Sequence, residues 1–188
     1  MKTDWKPGTM LYPLPAILVS CGSEAGEYNV FTASWVGTLC SNPPMCYVSI
    51  RPERHSHGII SRRGEFVLNL TTVSLAYATD WCGVKSGREH NKFEAMGLSV
   101  GKSSVVSAPT VGESPLSIEC RVSRIVPLGS HDMFMAEVVN VQAEDKYLDA
   151  ESGAFNMEAA GLLAYSHGKY FGLGEMIGRF GWTVKKGG

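Results

Sequence analysis

The run Leu116-Ser-Ile-Glu-Cys-Arg-Val122 constrains the fold most, because apolar and polar residues alternate strictly along it. Successive side chains point to opposite faces only in an extended strand. The even positions therefore belong to a core, and the odd positions meet water or a partner. The turn residues Gly129-Ser-His-Asp132 follow, and then Met133-Phe-Met-Ala-Glu-Val-Val-Asn-Val141, long enough to pair back as an antiparallel hairpin. Pro15-Ala-Ile-Leu-Val-Ser-Cys21, stopped by Gly22, and Asn29-Val-Phe-Thr32, reached through the polar turn 24–28, form a second hairpin. Met45 to Ile50 and Glu65 to Thr71 read as further strands. Strands without a regular strand-helix-strand alternation argue against a doubly wound sheet. Gly172-Leu-Gly174-Glu-Met-Ile-Gly178 is one residue too long for a dinucleotide fingerprint. The expected architecture is mainly β, a small closed or split antiparallel barrel with a few short helices.

Three helices are expected. Ser86-Gly-Arg-Glu89 has capping-box spacing and Gly97 a stop, which predicts a helix over 87–96. Ser56 to Arg63, capped by Ser56 and closed by Gly64, is a second. Val73 to Trp81 is a third, with Leu75, Ala78 and Cys82 on one stripe.

A chain of 188 residues with 44% hydrophobic content and no Pro/Gly/Ser linker reads as one domain, 1–188. The net charge of −1 gives no reason to expect nucleic acid, and Lys185 and Lys186 read as a solvated tail. Apolar runs fall short of a membrane span, and no signal-type segment precedes the first charges, so the expectation is a cytoplasmic protein with no membrane partner. Five cysteines, an odd number without a C-x-x-C pair, read as reduced, mostly buried thiols.

The chemistry collects at Val48-Ser-Ile-Arg-Pro-Glu-Arg-His-Ser-His57, where cations and hydroxyls follow directly on a buried strand. If Ser56 caps a helix, its free N–H groups and positive dipole end lie beside Arg54, while Arg51 adds a bidentate donor. That combination suits a phosphate dianion. The alternative is that Arg51, Arg54, Arg62 and Arg63 form a solvated basic face. His55 and His57, as alternate residues of an extended segment, would share a face. With no third ligand nearby, no metal is expected.

The order Asn29-x-x-Thr-x-Ser-Trp35, Ser41-Asn-Pro-Pro44, Val48-Ser-Ile-Arg-Pro-x-Arg-x-Ser56, Phe66-Val-Leu-Asn69, Ser86-Gly-Arg-x-x-x-Lys-Phe93, Glu119-Cys-x-Val122 and Tyr170-Phe-Gly-Leu-Gly-Glu-Met-Ile-Gly-Arg-Phe-Gly181 resembles the flavin reductase-like, FMN-binding split-barrel family, and within it the flavoredoxin branch. The resemblance implies a homodimer with one FMN per subunit near the interface. It places Thr32, Ala33, Ser34, Trp35 and Val36 along the isoalloxazine and ribityl chain. Ser49, Arg51, Arg54 and Ser56 would hold the phosphate, with His55 inside the same motif and Lys92 reaching the same group. It further implies an oxidoreductase passing hydride from NAD(P)H to flavin and on to a flavin or protein acceptor, with no obligatory catalytic side chain. The alternative is a flavoredoxin-type electron carrier without a nicotinamide site of its own. His131 stands where related reductases carry a glycine-aspartate-histidine turn, here with histidine and aspartate reversed. As a turn residue its ring is expected in solvent. The resemblance implies that the 170–181 segment packs near the dimer interface, with Tyr170 or Phe171 bordering the partner's flavin; the alternative is that it only docks as a C-terminal arm.

Overall fold

The 116–122 alternation and its return strand build the centre of the molecule. The structure, a computed structural model, describes residues 1–184. The Lys185 and Lys186 tail lies outside them. In chain order the elements are β1 (Leu14–Pro15), β2 (Ile17–Cys21), β3 (Asn29–Ala33), β4 (Val36–Ser41), β5 (Pro44–Ile50), α1 (His55–Arg63) and β6 (Glu65–Leu70). A single 3-10 turn (Val73–Leu75) leads into α2 (Ala76–Val84), followed by α3 (Lys92–Ala95), β7 (Val100–Gly101) and β8 (Thr110–Val111). The chain ends in β9 (Leu116–Pro127), β10 (Asp132–Ala143), α4 (Met157–Ala160), β11 (Leu163–Ser166) and β12 (Lys169–Gly172).

Seven strands form one antiparallel sheet in the order β3-β2-β6-β9-β10-β5-β4. The β9–β10 hairpin sits at its middle, with Asp132 opposite Pro127 and Ala143 opposite Leu116. The sheet wraps a core of Val19, Val48, Phe66 and Phe134, closed by Ile59 and Ile60 of α1. On its outer side Leu18 and Val30 pack against Leu75, Ala78 and Cys82 of the 73–84 helical segment and Phe93 of α3. Thus β2 is covered on both faces, which is why 17–21 is buried at every position and apolar at all but Ser20, whose hydroxyl donates to the Pro109 carbonyl. Full burial of a side chain such as Phe134 contributes on the order of 2 kcal/mol or more. The fold is mainly β, an antiparallel split barrel with short helices, as the sequence predicts.

Three local expectations change. The helix over 87–96 is only Lys92–Ala95, capped by Asn91, whose side chain accepts from the Glu94 N–H. Residues 87–89 form a turn in which the Arg88 N–H reaches Ser86 Oγ at 3.2 Å. Of the odd positions of the 116–122 strand Arg121 is exposed, but Ser117 and Glu119 do not face water and are buried. The chain's own 102–111 segment covers them, since the N–H groups of Ser104, Val105 and Val106 all donate to the Glu119 carboxylate. Finally, the C-terminal arm pairs with β11 only as far as Gly172. Beyond it Leu173, Met176, Ile177 and Phe180 are exposed.

Candidate functional site

Where β5 ends, Pro52 fixes the backbone and a turn closes with the Arg54 N–H on the Arg51 carbonyl at 3.0 Å. Arg54 then enters α1 in an extended conformation as its N-cap, in place of the expected Ser56. No acidic residue lies in the first turn of α1, so its unpaired N–H groups and dipole end stay available to an external anion. Ser56, one residue inside the helix, is buried and its Oγ accepts from Asn29 Nδ2 at 2.7 Å. This bond ties α1 to the start of β3.

Two adjoining cavities open here. The smaller, about 260 Å³, is lined by Arg51, Arg54, His55 and Ser56 and, from the 85–92 segment, by Lys85, Arg88 and Lys92. Lys92 is 3% exposed, and its Nζ donates to the Cys82 carbonyl at 2.7 Å. Burial, with the charge of Arg54 added, lowers its pKa to about 8 although the Cys82 thiol pulls the other way. Gly87 allows the close packing of this wall, because a Cβ there would lie 2.2 Å from Asn29 Oδ1. Arg88 donates to the Glu53 carbonyl at 2.9 Å and so ties the 86–88 turn to the β5–α1 turn. Among the described residues the only carboxylate lining this cavity, Glu53, lies 3.7 Å from Arg51. A cluster of cations around backbone and hydroxyl donors is the chemistry of a phosphate site.

The larger cavity, about 530 Å³, continues from the smaller, and Phe31, Thr32, Arg51, Arg54 and Gly83 line both. Its floor is the end of β3 and the bend after it, Ala33, Ser34 and Trp35, facing Ser49 and Ile50 of β5. The small side chains leave the backbone accessible to a flat ligand. Thr32 is held by its hydroxyl on the Thr79 carbonyl of α2. Trp35, 40% exposed, is no core aromatic: its ring stacks on His131 at 6.0 Å with planes 11° apart. The His131 ring is therefore a wall of the cleft rather than solvated. Burial there, reinforced by Arg51, shifts its pKa downward.

Of the residues singled out from the sequence, ten border this continuous cleft: Thr32, Ala33, Ser34, Trp35, Ser49, Arg51, Arg54, His55, Ser56 and Lys92. Val36 does not; it is buried opposite Val48 in the core. The basic residues divide into two groups. Arg51 and Arg54 face the cleft, whereas Arg62 and Arg63 pair with Glu27 at 3.1 and 2.7 Å. His55 and His57 lie in a helix, not an extended segment, and part company: His55 faces the small cavity, while His57 pairs with Asp132 at 2.7 Å. Sequence reasoning missed Lys85 and Arg88, because the 86–89 pattern was read as a helix start. It also missed Asp80 and Tyr165, which come from distant segments, while Tyr170, expected beside a partner's flavin, lines this chain's own cleft.

The flavin reductase like domain profile matches residues 9–174. An uncharacterized protein of Archaeoglobus fulgidus is 35% identical over 141 residues, spanning 75% of this chain and 78% of that protein. The FMN reductase (NADH) RutF of Stutzerimonas stutzeri is 26% identical over 115 residues, spanning 61% and 64% of the two chains. The structure of the flavoredoxin of Desulfovibrio vulgaris (Miyazaki F) superposes with a TM-score of 0.90 at 26% identity, covering 99% of this chain and 100% of that one. Profile, relatives and fold agree with the motif order read from the residues: the chain belongs to the flavin reductase-like family, in its flavoredoxin branch.

Proposed function

We propose that this protein is a single-domain, cytoplasmic FMN-binding oxidoreductase, a flavin reductase that takes hydride from NAD(P)H and passes electrons to a flavin or protein acceptor. The observation that carries the reading is the shape and charge of one continuous cleft: a cation-lined end opening into a larger cavity with a small-residue floor and a Trp35–His131 wall. An FMN is such an object, a dianionic tail joined to a flat, largely apolar ring system.

In this reading Arg51, Arg54 and Lys92 neutralise the phosphate, the first turn of α1 contributes His55 and Ser56 N–H groups, and Ser49 adds a hydroxyl. Thr32, Ala33 and Ser34 let the ring approach the β3 backbone, and Trp35 with His131 shields it from water on one side. When bound, FMN would supply the hydride chemistry. The chain's task is to anchor the cofactor by its tail and leave the ring open to a second planar molecule. No helix among the described residues is long and apolar enough to cross a membrane. Trp5, Leu11, Ile177 and Phe180 on extended terminal arms are exposed, which fits burial against a second copy in a homodimer.

Arg51→Ala and Arg54→Ala should each lose charge-assisted bonds worth about 1.5–3 kcal/mol, weakening FMN roughly tenfold to a hundredfold. Ser56→Ala should cost about 1 kcal/mol, through its bond to Asn29. Titration of apoprotein with FMN measures the arginine variants and urea denaturation of the apoprotein the serine one, and unchanged affinity in both arginine variants contradicts the assignment. Anaerobic NADH or NADPH added to the FMN-loaded protein should bleach the flavin absorption on a turnover timescale. Slow or absent bleaching, with FMN still tightly bound, would favour an electron carrier, the role the flavoredoxin likeness keeps open.

A further inference from the structure

The large cavity also carries a charge of opposite sign. Among the residues that line it and not the smaller one are Asp80 of α2 and Tyr165, Gly168 and Tyr170 of the β11–β12 hairpin. The Tyr170 hydroxyl donates to Asp80 Oδ1 at 3.2 Å, and the two tyrosine rings lie 5.6 Å apart, inclined by 60°. Burial, and then the neighbouring Asp80 charge, push the Tyr170 phenol up to about 12, so it stays a neutral donor. No lysine, arginine or histidine among the described residues pairs with Asp80. Asp80 is solvent-exposed on the cavity lining, and its Oδ2 has no hydrogen-bond or ion-pair partner among the described residues. Among the described residues Arg51 and Arg54, which also line the smaller cavity, are the other fully charged residues on the lining. Once a dianion neutralises them, Asp80 is the remaining uncompensated charge.

We propose that Asp80, Tyr165 and Tyr170 form the substrate subsite, taking a flat heteroaromatic ring that carries positive charge or amide N–H donors, and disfavouring an anionic ring of the same size. A carboxylate beside two aromatic rings attracts an organic cation through both Coulomb and ring-quadrupole terms. It repels a carboxylated ring by the same charge. The Tyr170 hydrogen bond ties Asp80 to the β11–β12 hairpin, whose Gly168 also lines the cavity. This subsite deepens the reading given above, since it says which partner the anchored cofactor faces and which residues select it.

The test is calorimetric titration of the FMN-loaded wild-type protein, Asp80→Asn and Tyr170→Phe with the 1-methylnicotinamide cation and, separately, with benzoate, alongside FMN titration of each apoprotein. The expected result is saturable binding of the cation to wild type, about tenfold weaker in Asp80→Asn and about threefold weaker in Tyr170→Phe. Benzoate should bind wild type more weakly than the cation and should gain in Asp80→Asn. FMN affinity should stay within about twofold in both variants. Equal cation affinity in wild type and Asp80→Asn overturns the proposal. So does absence of cation binding to the wild type, or loss of FMN in both variants, which would assign these residues to the cofactor or to the fold. If wild type takes up no FMN yet the apoprotein binds the cation in an Asp80-dependent way, the flavin reading fails and the subsite stands.

Discussion

Replacing Lys92 by methionine should make the apoprotein more stable at neutral pH and at the same time weaken FMN about a hundredfold. The two effects have one cause. Lys92 is buried against Phe93 and the end of α2, with the Cys82 carbonyl as its hydrogen-bond partner, and its pKa falls from 10.5 to about 8. The drop corresponds to a cost of about 3 kcal/mol for holding the charge in the native protein, at ~1.4 kcal/mol per unit. Below pH 8 the lysine is protonated in both states and the cost is fully present. Between about 8 and 10.5 the native protein sheds the proton that the unfolded chain keeps, so apoprotein stability rises with pH in that window. A phosphate beside Lys92 reverses the balance by supplying the missing opposite charge. FMN affinity should then fall as pH rises through about 8, and Lys92→Met should lose about 3 kcal/mol of cofactor binding along with that pH dependence. Urea denaturation of the apoprotein across pH and FMN titration at pH 7 and 9.5 check both halves. A variant less stable at pH 7 with FMN affinity intact would mean that Lys92 serves the fold alone.

Glu119→Ala should cost about 4–5 kcal/mol of stability, a large share of the ~5–15 kcal/mol typical of a domain. The Glu119 carboxylate, 0% exposed, accepts from the N–H groups of Ser104, Val105 and Val106 at 2.9, 2.6 and 3.0 Å. It also accepts from the side-chain amides of Asn140 at 2.7 Å and Gln142 at 3.0 Å. Removing it orphans four donors, the Gln142 amide keeping the Lys102 carbonyl and Ser104 Oγ, and loosens the 102–108 segment from β9. Burial alone would raise the Glu119 pKa, but the Asn140 amide and the three backbone N–H groups outweigh it and hold the carboxyl below its usual range. The contribution is therefore present above the unfolded-state pKa and lost as pH falls through the depressed native one. Glu119→Gln keeps the shape but turns an amide NH₂ toward N–H donors, so it should be destabilised as well and should not show the extra acid sensitivity of wild type. Denaturation midpoints from pH 7 down to 3 measure this. A loss under 1 kcal/mol for Glu119→Ala would show that water replaces the carboxylate.

Glu119 also marks the limit of what the sequence discloses. Period-two alternation states which residues share a face of β9, and that was legible. It does not state what covers the polar face, since the 102–111 segment that does so is remote in sequence. The same physics separates the two halves of the cleft. Ser49, Arg51, Arg54, His55 and Ser56 are neighbours along one strand-turn-helix, so their convergence was readable from the residues. Arg88 and Lys92 join them only because Gly87 admits the 86–88 turn against Asn29. Gly87 is a poor helix former, and Asn91 is the better cap. Asp80, Tyr165 and Tyr170 meet only through β11 pairing with β12 and packing over α2, contacts that no local pattern encodes.

The central claim is that the β5–α1 turn and Lys92 bind the cofactor through its phosphate. The most direct measurement is the ratio of FMN to riboflavin affinity in wild type and in Arg54→Ala, since the two ligands share the ring and ribityl chain and differ only in that group. The account predicts that wild type prefers FMN by about a hundredfold or more and that Arg54→Ala cuts the preference at least tenfold while leaving riboflavin unchanged. Equal affinity of the wild-type protein for FMN and riboflavin would contradict it.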